Sequence, residues 1–382
     1  MEQCIYLNNS ATSFPKPPQV LEAVTKFLAQ PPLYNARNSS VSTKQDLKKD
    51  CRKELATLFN APSPEQIAFT SGATESLNLV LKGINWKGQH VLTTCAEHNS
   101  VLRVLKTMER DQLIRLTIIK STLDGSITPS LIKENVQSDT AALVLSHCSN
   151  VTGSVNALKE IGLLLKSKKV LFIVDASQSA GLYPIDVQDM NIDALAFTGH
   201  KALFGLQGIG GMYIKKSLAI TPLKVGGTGS QSNLLYQPTD LPSYYEAGTA
   251  NFAGIAALCE GVRFIKQVGI DSICKKVQAQ IITIKKAFSL SPSIKLYTPK
   301  NQASTILSFT IEGIETSDIG YLLEQNFNII VRTGLHCSPL IHACIHAPID
   351  GTVRVSPSFF NTDSEIDFFI HAIKEILIMV KD

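Results

Sequence analysis

In Ala196-Phe197-Thr198-Gly199-His200-Lys201 a lysine closes an apolar run among small and hydroxyl residues, and Gly205, Gly208, Gly210 and Gly211 follow. An amine held in a dry, partly cationic site loses its proton readily and becomes a nucleophile towards an aldehyde. Taken alone, a lysine in a glycine-rich loop is more often a solvated surface residue. In Leu171-Phe172-Ile173-Val174-Asp175-Ala176-Ser177-Gln178-Ser179 an aspartate ends a wholly apolar run. A carboxylate there faces the ligand crevice of an α/β sheet, where it would keep a pyridine nitrogen protonated and make that ring an electron sink. It would equally serve as the cap of the next helix. In Phe69-Thr70-Ser71-Gly72-Ala73-Thr74-Glu75 an apolar run turns through a glycine into a helix start. The first backbone N–H groups, at Ala73 and Thr74, together with the Thr74 hydroxyl, make a phosphate cradle. A plain capped helix after a tight turn has the same pattern.

These residues need a scaffold. Short apolar runs at 67–70, 91–94, 116–119, 142–146, 171–175, 194–198 and 210–214 predict strands, and most are continuously apolar, as expected for strands covered on both faces. Helical patterns at 74–82, 100–110 and 158–166 lie between them, which argues for a mostly parallel sheet in an α/β fold. A helix over 252–268 leaves this unit. Beyond it the pattern predicts a helix at 273–289, a strand at 305–311, a helix at 318–326, strands near 329–332 and 352–355, and a last helix over 364–378. The expected division is a large domain at 16–258 and a smaller α+β domain at 259–382, with segment 1–15 packing at the junction.

The chain has 382 residues, 44% hydrophobic and 18% charged, enough apolar side chains for a sizeable core. Its 36 basic and 32 acidic residues leave a net charge of +4. No basic block suggests nucleic acid, and the densest run, Lys48 to Lys53, is broken by Asp50 and is expected on a solvated helix face. No apolar stretch is long enough for a membrane span, and the N-terminus lacks a signal-peptide pattern. Eight cysteines without a regular framework suit reduced thiols in a cytoplasmic protein.

The order of phosphate turn, Asp175-x-x-Gln178 and Thr198-x-His200-Lys201 resembles fold-type I pyridoxal-phosphate (PLP) enzymes, in particular the class V aminotransferase group, from about Tyr6 to the C-terminal helix. The resemblance implies a large domain with a mostly parallel seven-stranded sheet and a Schiff base of PLP on Lys201. It implies that Asp175 holds the ring nitrogen, that His98 stacks on the ring, and that Gln178 bonds the phenolic oxygen. Ala73, Thr74, Thr198 and His200 would hold the phosphate. Thr249 would reach the phosphate of a neighbouring subunit, which implies a homodimer. Asn150, in Ser149-Asn150-Val151-Thr152-Gly153, would touch the ring or the substrate carboxylate; otherwise it is a turn residue after a strand.

Within that group, Val331-Arg332-Thr333-Gly334-Leu335-His336-Cys337-Ser338-Pro339 resembles the active-site loop of cysteine desulfurases and selenocysteine lyases. Gly227-Thr228-Gly229-Ser230, Tyr245-Glu246-Ala247-Gly248-Thr249 and the short interval from Cys337 to Arg354 look like one bacterial branch of it. The implied substrate is L-cysteine or L-selenocysteine. Lys201 would take the Cα proton, a Cys337 thiolate would attack the substrate sulfur, alanine would leave, and a persulfide on Cys337 would pass to an acceptor protein. Arg354 matches the arginine that grips the substrate carboxylate, which a guanidinium does bidentately; alone it is as well a surface ion pair. Free cysteines are usually buried and inert, so the flanking motif is what singles out Cys337. His336, His342, Cys344 and His346 crowd the same stretch, but their spacing fits no standard zinc pattern and no metal is expected. Cys344 and His346 depart from the resembled branch and leave room for a resolving thiol or an altered loop. An aminotransferase reading leaves Cys337 idle. A non-catalytic scaffold leaves all these residues idle.

Overall fold

Most strands of the central sheet are short apolar runs buried along their length, and the edge strand Arg115–Ile119 is the partly exposed exception. The computed structural model describes residues 4–31, 46–229, 231–299 and 302–379. Ser230, residues 1–3 and residues 380–382, all part of the expected motifs or domains, lie outside the described residues. The first half runs β1 (Ile5–Tyr6), α1 (Pro18–Leu28), α2 (Leu47–Phe59), β2 (Ile67–Thr70), α3 (Ala73–Gly83), β3 (His90–Thr94), α4 (Asn99–Arg110), β4 (Arg115–Ile119), α5 (Pro129–Asn135), β5 (Thr140–Ser146), α6 (Leu158–Lys168), β6 (Leu171–Asp175), β7 (Ala194–Thr198) and β8 (Gly210–Ile214). The second runs α7 (Phe252–Val268), α8 (Ile270–Phe288), β9 (Ile294–Leu296), β10 (Leu307–Ile311), α9 (Thr316–Phe327), β11 (Ile329–Ile330), β12 (Arg332–Gly334), α10 (Pro339–Cys344), β13 (Thr352–Val355) and α11 (Asp363–Met379).

Seven strands form the central sheet in the order β2-β8-β7-β6-β5-β3-β4. All neighbours are parallel except at β8, which is antiparallel to both β2 and β7. The fold is therefore the expected α/β one with a mostly parallel sheet. One face packs on a core that includes Phe172, Val174, Phe197 and Leu258, the other on a core with Leu77, Val80, Val144 and Met212. Covering both faces is what the uninterrupted apolar strands require.

A second sheet, β12-β13-β10-β9, is antiparallel and packs with α8, α9 and α11 around Phe288, Phe309 and Phe369. α7 runs unbroken across the expected 258/259 division, and Leu258, Cys259, Val262 and Ile265 all join the core of the large sheet. The N-terminal segment joins both parts. β1 pairs with β11, Leu7 enters the small core, and Ser13 N–H donates to the His200 carbonyl at 3.0 Å.

Two local expectations are corrected. The stretch 329–332 is two strands in different sheets, because β11 follows β1 while β12 follows β13. The basic run on α2 is not simply a solvated face: Arg52 is buried, donates through Nε to the Ile67 carbonyl at 3.1 Å, and pairs with Glu246 at 2.5 Å, as does Lys48 at 3.0 Å.

Candidate active site

A cavity of about 380 Å³ opens beyond the carboxyl ends of the strands, where an open α/β sheet places its ligands. Asp175 is the last residue of β6 and Thr198 the last of β7. His98 caps α4 after β3, Asn150 follows β5, and Ala73 and Thr74 open α3 after β2. His200, Lys201 and Gln178 come from the loops after β7 and β6. Arg332 and Arg354 enter from β12 and β13 of the second sheet. All of these residues line the one cavity.

At one end lies the start of α3, whose first N–H groups have no partner within the helix. Gly72 makes the turn with φ of 152°, and β8 presses against it: a Cβ on Gly210 would stand 2.6 Å from Gly72 Cα. Glu75 steadies the turn by accepting from Ser71 N–H at 2.7 Å, and Lys224 pairs with it at 2.7 Å. His200 adds a buried Nδ1 with no hydrogen-bond partner among the described residues. Burial pushes this imidazole down to about 4, so it is neutral at physiological pH.

At the centre, Asp175 is 4% exposed, and its Oδ1 accepts from the backbone N–H of Ser177 at 2.9 Å and from that residue's hydroxyl at 2.5 Å. Burial lowers the Lys201 amine to about 8; Arg354 and Arg332 push the same way, and the Asp175 charge opposes them. His98 is lowered to about 4, again by burial. Its Nδ1 accepts from Ser100 N–H at 3.0 Å, so the ring proton belongs on Nε2. Gln178 donates through Nε2 to the Ser10 carbonyl at 3.1 Å.

Arg354 is 1% exposed yet among the described residues its hydrogen-bond partners are neutral: Nη1 donates to the Asn150 carbonyl at 3.0 Å, Nη2 to Asn8 Oδ1 at 3.1 Å, and Nε finds no acceptor there. Burial without a nearby acid brings it down to about 9. A buried guanidinium in this state is poised for an anion.

Cys337 is half-buried on the turn between β12 and α10. It does not itself line the cavity, but its neighbours Arg332 and His336 do. Arg332 Nη2 donates to Cys337 Sγ at 3.3 Å. The Cys337 carbonyl accepts from Asn99 N–H at 2.8 Å, beside the His98 cap. His336 Nε2 lies 3.0 Å from the Thr352 carbonyl, and burial pushes this ring down to about 2, so it brings no charge to the turn. Asn150, expected at the ring or the substrate carboxylate, has both polar ends of its side chain bonded to residues flanking Cys337. Thr249 is exposed and outside the cavity. Among the described residues, no three His, Cys, Asp or Glu side chains are grouped to hold a metal.

Asn8, Ser177 and Ser338 were not foreseen. Asn8 and Ser338 act across the fold on Arg354 and Asn150, and no local pattern marks them. Ser177 was detectable as the hydroxyl two residues after Asp175, the spacing of an Asx-type turn.

The sequence model "Aminotransferase class-V" matches residues 5–369. The chain belongs to the aminotransferase class-V family. This class-V chain is 32% identical to a probable cysteine desulfurase of Pyrococcus abyssi, covering 98% of the chain and 95% of the relative. It is 28% identical to a cysteine desulfurase of Wigglesworthia glossinidia brevipalpis, covering 97% and 91%. Among solved structures it superposes on an apo cysteine desulfurase from Thermococcus onnurineus with a TM-score of 0.91 at 28% identity, covering 98% and 94%. A cysteine desulfurase (S-sulfonic acid) from Escherichia coli gives 0.90 at 27%, covering 98% and 95%.

Proposed function

We propose that this protein is a PLP-dependent cysteine desulfurase. The observation that carries the reading is one cavity that joins a lowered lysine, a strand-end aspartate and an unpaired guanidinium to the Arg332–Cys337 contact. The lining residues fit the cofactor. The α3 start, Thr198 and His200 suit its phosphate, Lys201 Nζ its aldehyde, Asp175 its ring nitrogen and neutral His98 its ring face. When bound, PLP supplies an aldehyde and a protonatable ring that accepts the electron pair left at the substrate Cα.

The residues then divide the work. Arg354 takes the carboxylate of L-cysteine, the negative partner it lacks in the protein. Asp175, fixed by Ser177, would keep a proton on the ring nitrogen. Lys201 Nζ removes the Cα proton and returns it during alanine formation. Cys337 Sγ forms a bond to the substrate sulfur as the carbon–sulfur bond breaks, and a persulfide remains for an acceptor protein. Arg332 Nη2, 3.3 Å from Sγ, fixes where that sulfur sits. A homodimer, with Thr249 of each subunit reaching the phosphate bound in the other, completes the site. The eight free cysteines suit a reducing, cytoplasmic setting.

The test is alanine release from L-cysteine by PLP-loaded wild type and Cys337→Ala. Wild type should release alanine, and the variant should lose at least about a hundredfold. Normal turnover by Cys337→Ala removes the persulfide step. Alanine mainly from L-selenocysteine moves the substrate to selenium, and keto acid with no alanine from either means transamination.

A further inference from the structure

Asn150 lies 6% exposed between the end of β5 and the thiol-bearing turn. Its Nδ2 donates to the His336 carbonyl at 2.7 Å, and its Oδ1 accepts from the Ser338 hydroxyl at 2.7 Å. The assignment of the two ends is forced, because a carbonyl can only accept. One side chain of the large sheet thus grips the residue before Cys337 and the residue after it. The stretch it holds is strained: His336 has φ of 52° and Cys337 of 60°. Two successive left-handed residues with side chains are unfavourable and persist only where the surroundings dictate them. Ser338 is fully buried, and among the described residues its hydroxyl makes this one hydrogen bond, to Asn150.

We infer that Asn150 and Ser338 form a positioning pair that fixes Cys337 against Arg332, making Asn150 the joint between the cofactor pocket and the sulfur-accepting turn. The inference rests on the desulfurase reading for its catalytic consequence, though not for its geometry. Without the pair, the turn relaxes towards ordinary backbone angles and the Arg332–Sγ contact at 3.3 Å is lost. Sulfur transfer then slows, while carboxylate binding by Arg354 and cofactor binding by Lys201 persist.

The experiment uses PLP-loaded Ser338→Ala, a residue that does not itself line the cavity and meets it only through Asn150, with Ser338→Thr to restore the hydroxyl. Two readings are made: hydrogen exchange of the peptide spanning 333–341 without substrate, and kcat, KM and cofactor absorbance with L-cysteine. The expected result for Ser338→Ala is exchange faster by about tenfold and kcat lower by about tenfold, the size of one buried hydrogen bond. KM should stay within about twofold, the cofactor band should be unchanged, and Ser338→Thr should recover part of the loss. Unchanged exchange overturns the inference, as does a kcat loss accompanied by loss of the cofactor band. If wild type releases no alanine, the desulfurase reading fails by itself, and the exchange comparison still decides whether the pair holds the turn. Should Ser338→Ala not fold, Asn150→Ser, which keeps a short hydroxyl in place of the two-ended amide, is read by hydrogen exchange of 333–341 alone: faster exchange is expected, and unchanged exchange overturns the inference.

Discussion

At the scale of single residues, the site is governed by burial without compensation. Lys201, His98, His200 and Arg354 are all shifted towards their neutral forms, and in each case burial is the largest cause. For Lys201 the consequence is measurable. Its amine must be deprotonated to attack an aldehyde, and below about pH 8 it is mostly the ammonium. The rate at which cofactor-free protein takes up PLP should therefore rise with pH through a midpoint near 8 and level off above it. Stopped-flow absorbance of the bound cofactor measures this. Lys201→Ala should give no adduct that borohydride can fix, and a flat pH profile for any residual binding. A midpoint near the ordinary lysine value would mean that the amine is solvated before the cofactor arrives.

At the scale of elements, the sequence was legible wherever one physical demand dominated. Strands buried on both faces are continuous apolar runs, and the strands Ile67–Thr70, Leu171–Asp175, Ala194–Thr198 and Gly210–Ile214 coincide with them. Their ends place Asp175 and Thr198, so much of the cavity followed from them. Elements set by distant partners were not legible. β11 is defined by β1 from the other end of the chain, α10 has only six residues, and Asn150 owes its two bonds to residues far along the sequence. The glycines separate packing from function. A Gly210→Ala methyl would meet Gly72 Cα and the Phe197 carbonyl, each at 2.6 Å, and would push the α3 start out of place. A Gly162→Ala methyl would meet the Met190 carbonyl at 1.8 Å, where α6 passes a loop far from the cavity residues. Both changes should lower stability by about 1–3 kcal/mol in denaturant titrations. Only Gly210→Ala should also weaken PLP binding, by tenfold or more in a cofactor titration. Equal effects on PLP binding would mean that the cradle tolerates a displaced β8.

At the scale of the whole molecule, the segment between β8 and α7 carries apolar side chains that the subunit does not cover: Val225 is 73% exposed, Leu235 97% and Tyr236 89%. The proposed homodimer would bury side chains of this kind, and Thr249, at the end of the same segment, does not reach the cavity of its own chain. The proposal that Thr249 crosses over makes a prediction. Hybrid dimers can tell crossing from local action. In a hybrid of one Lys201→Ala subunit and one Thr249→Ala subunit, crossing puts both lesions in one site and leaves the other site intact. The hybrid, isolated with two different tags, should then show about half the wild-type alanine release and one tightly held PLP per dimer. If Thr249 serves its own subunit, each site carries one lesion, and the hybrid has no site with wild-type PLP affinity. Replacing Leu235 and Tyr236 by aspartate should give a monomer by light scattering, and that monomer should release PLP about tenfold more readily, because its phosphate has lost a partner across the interface.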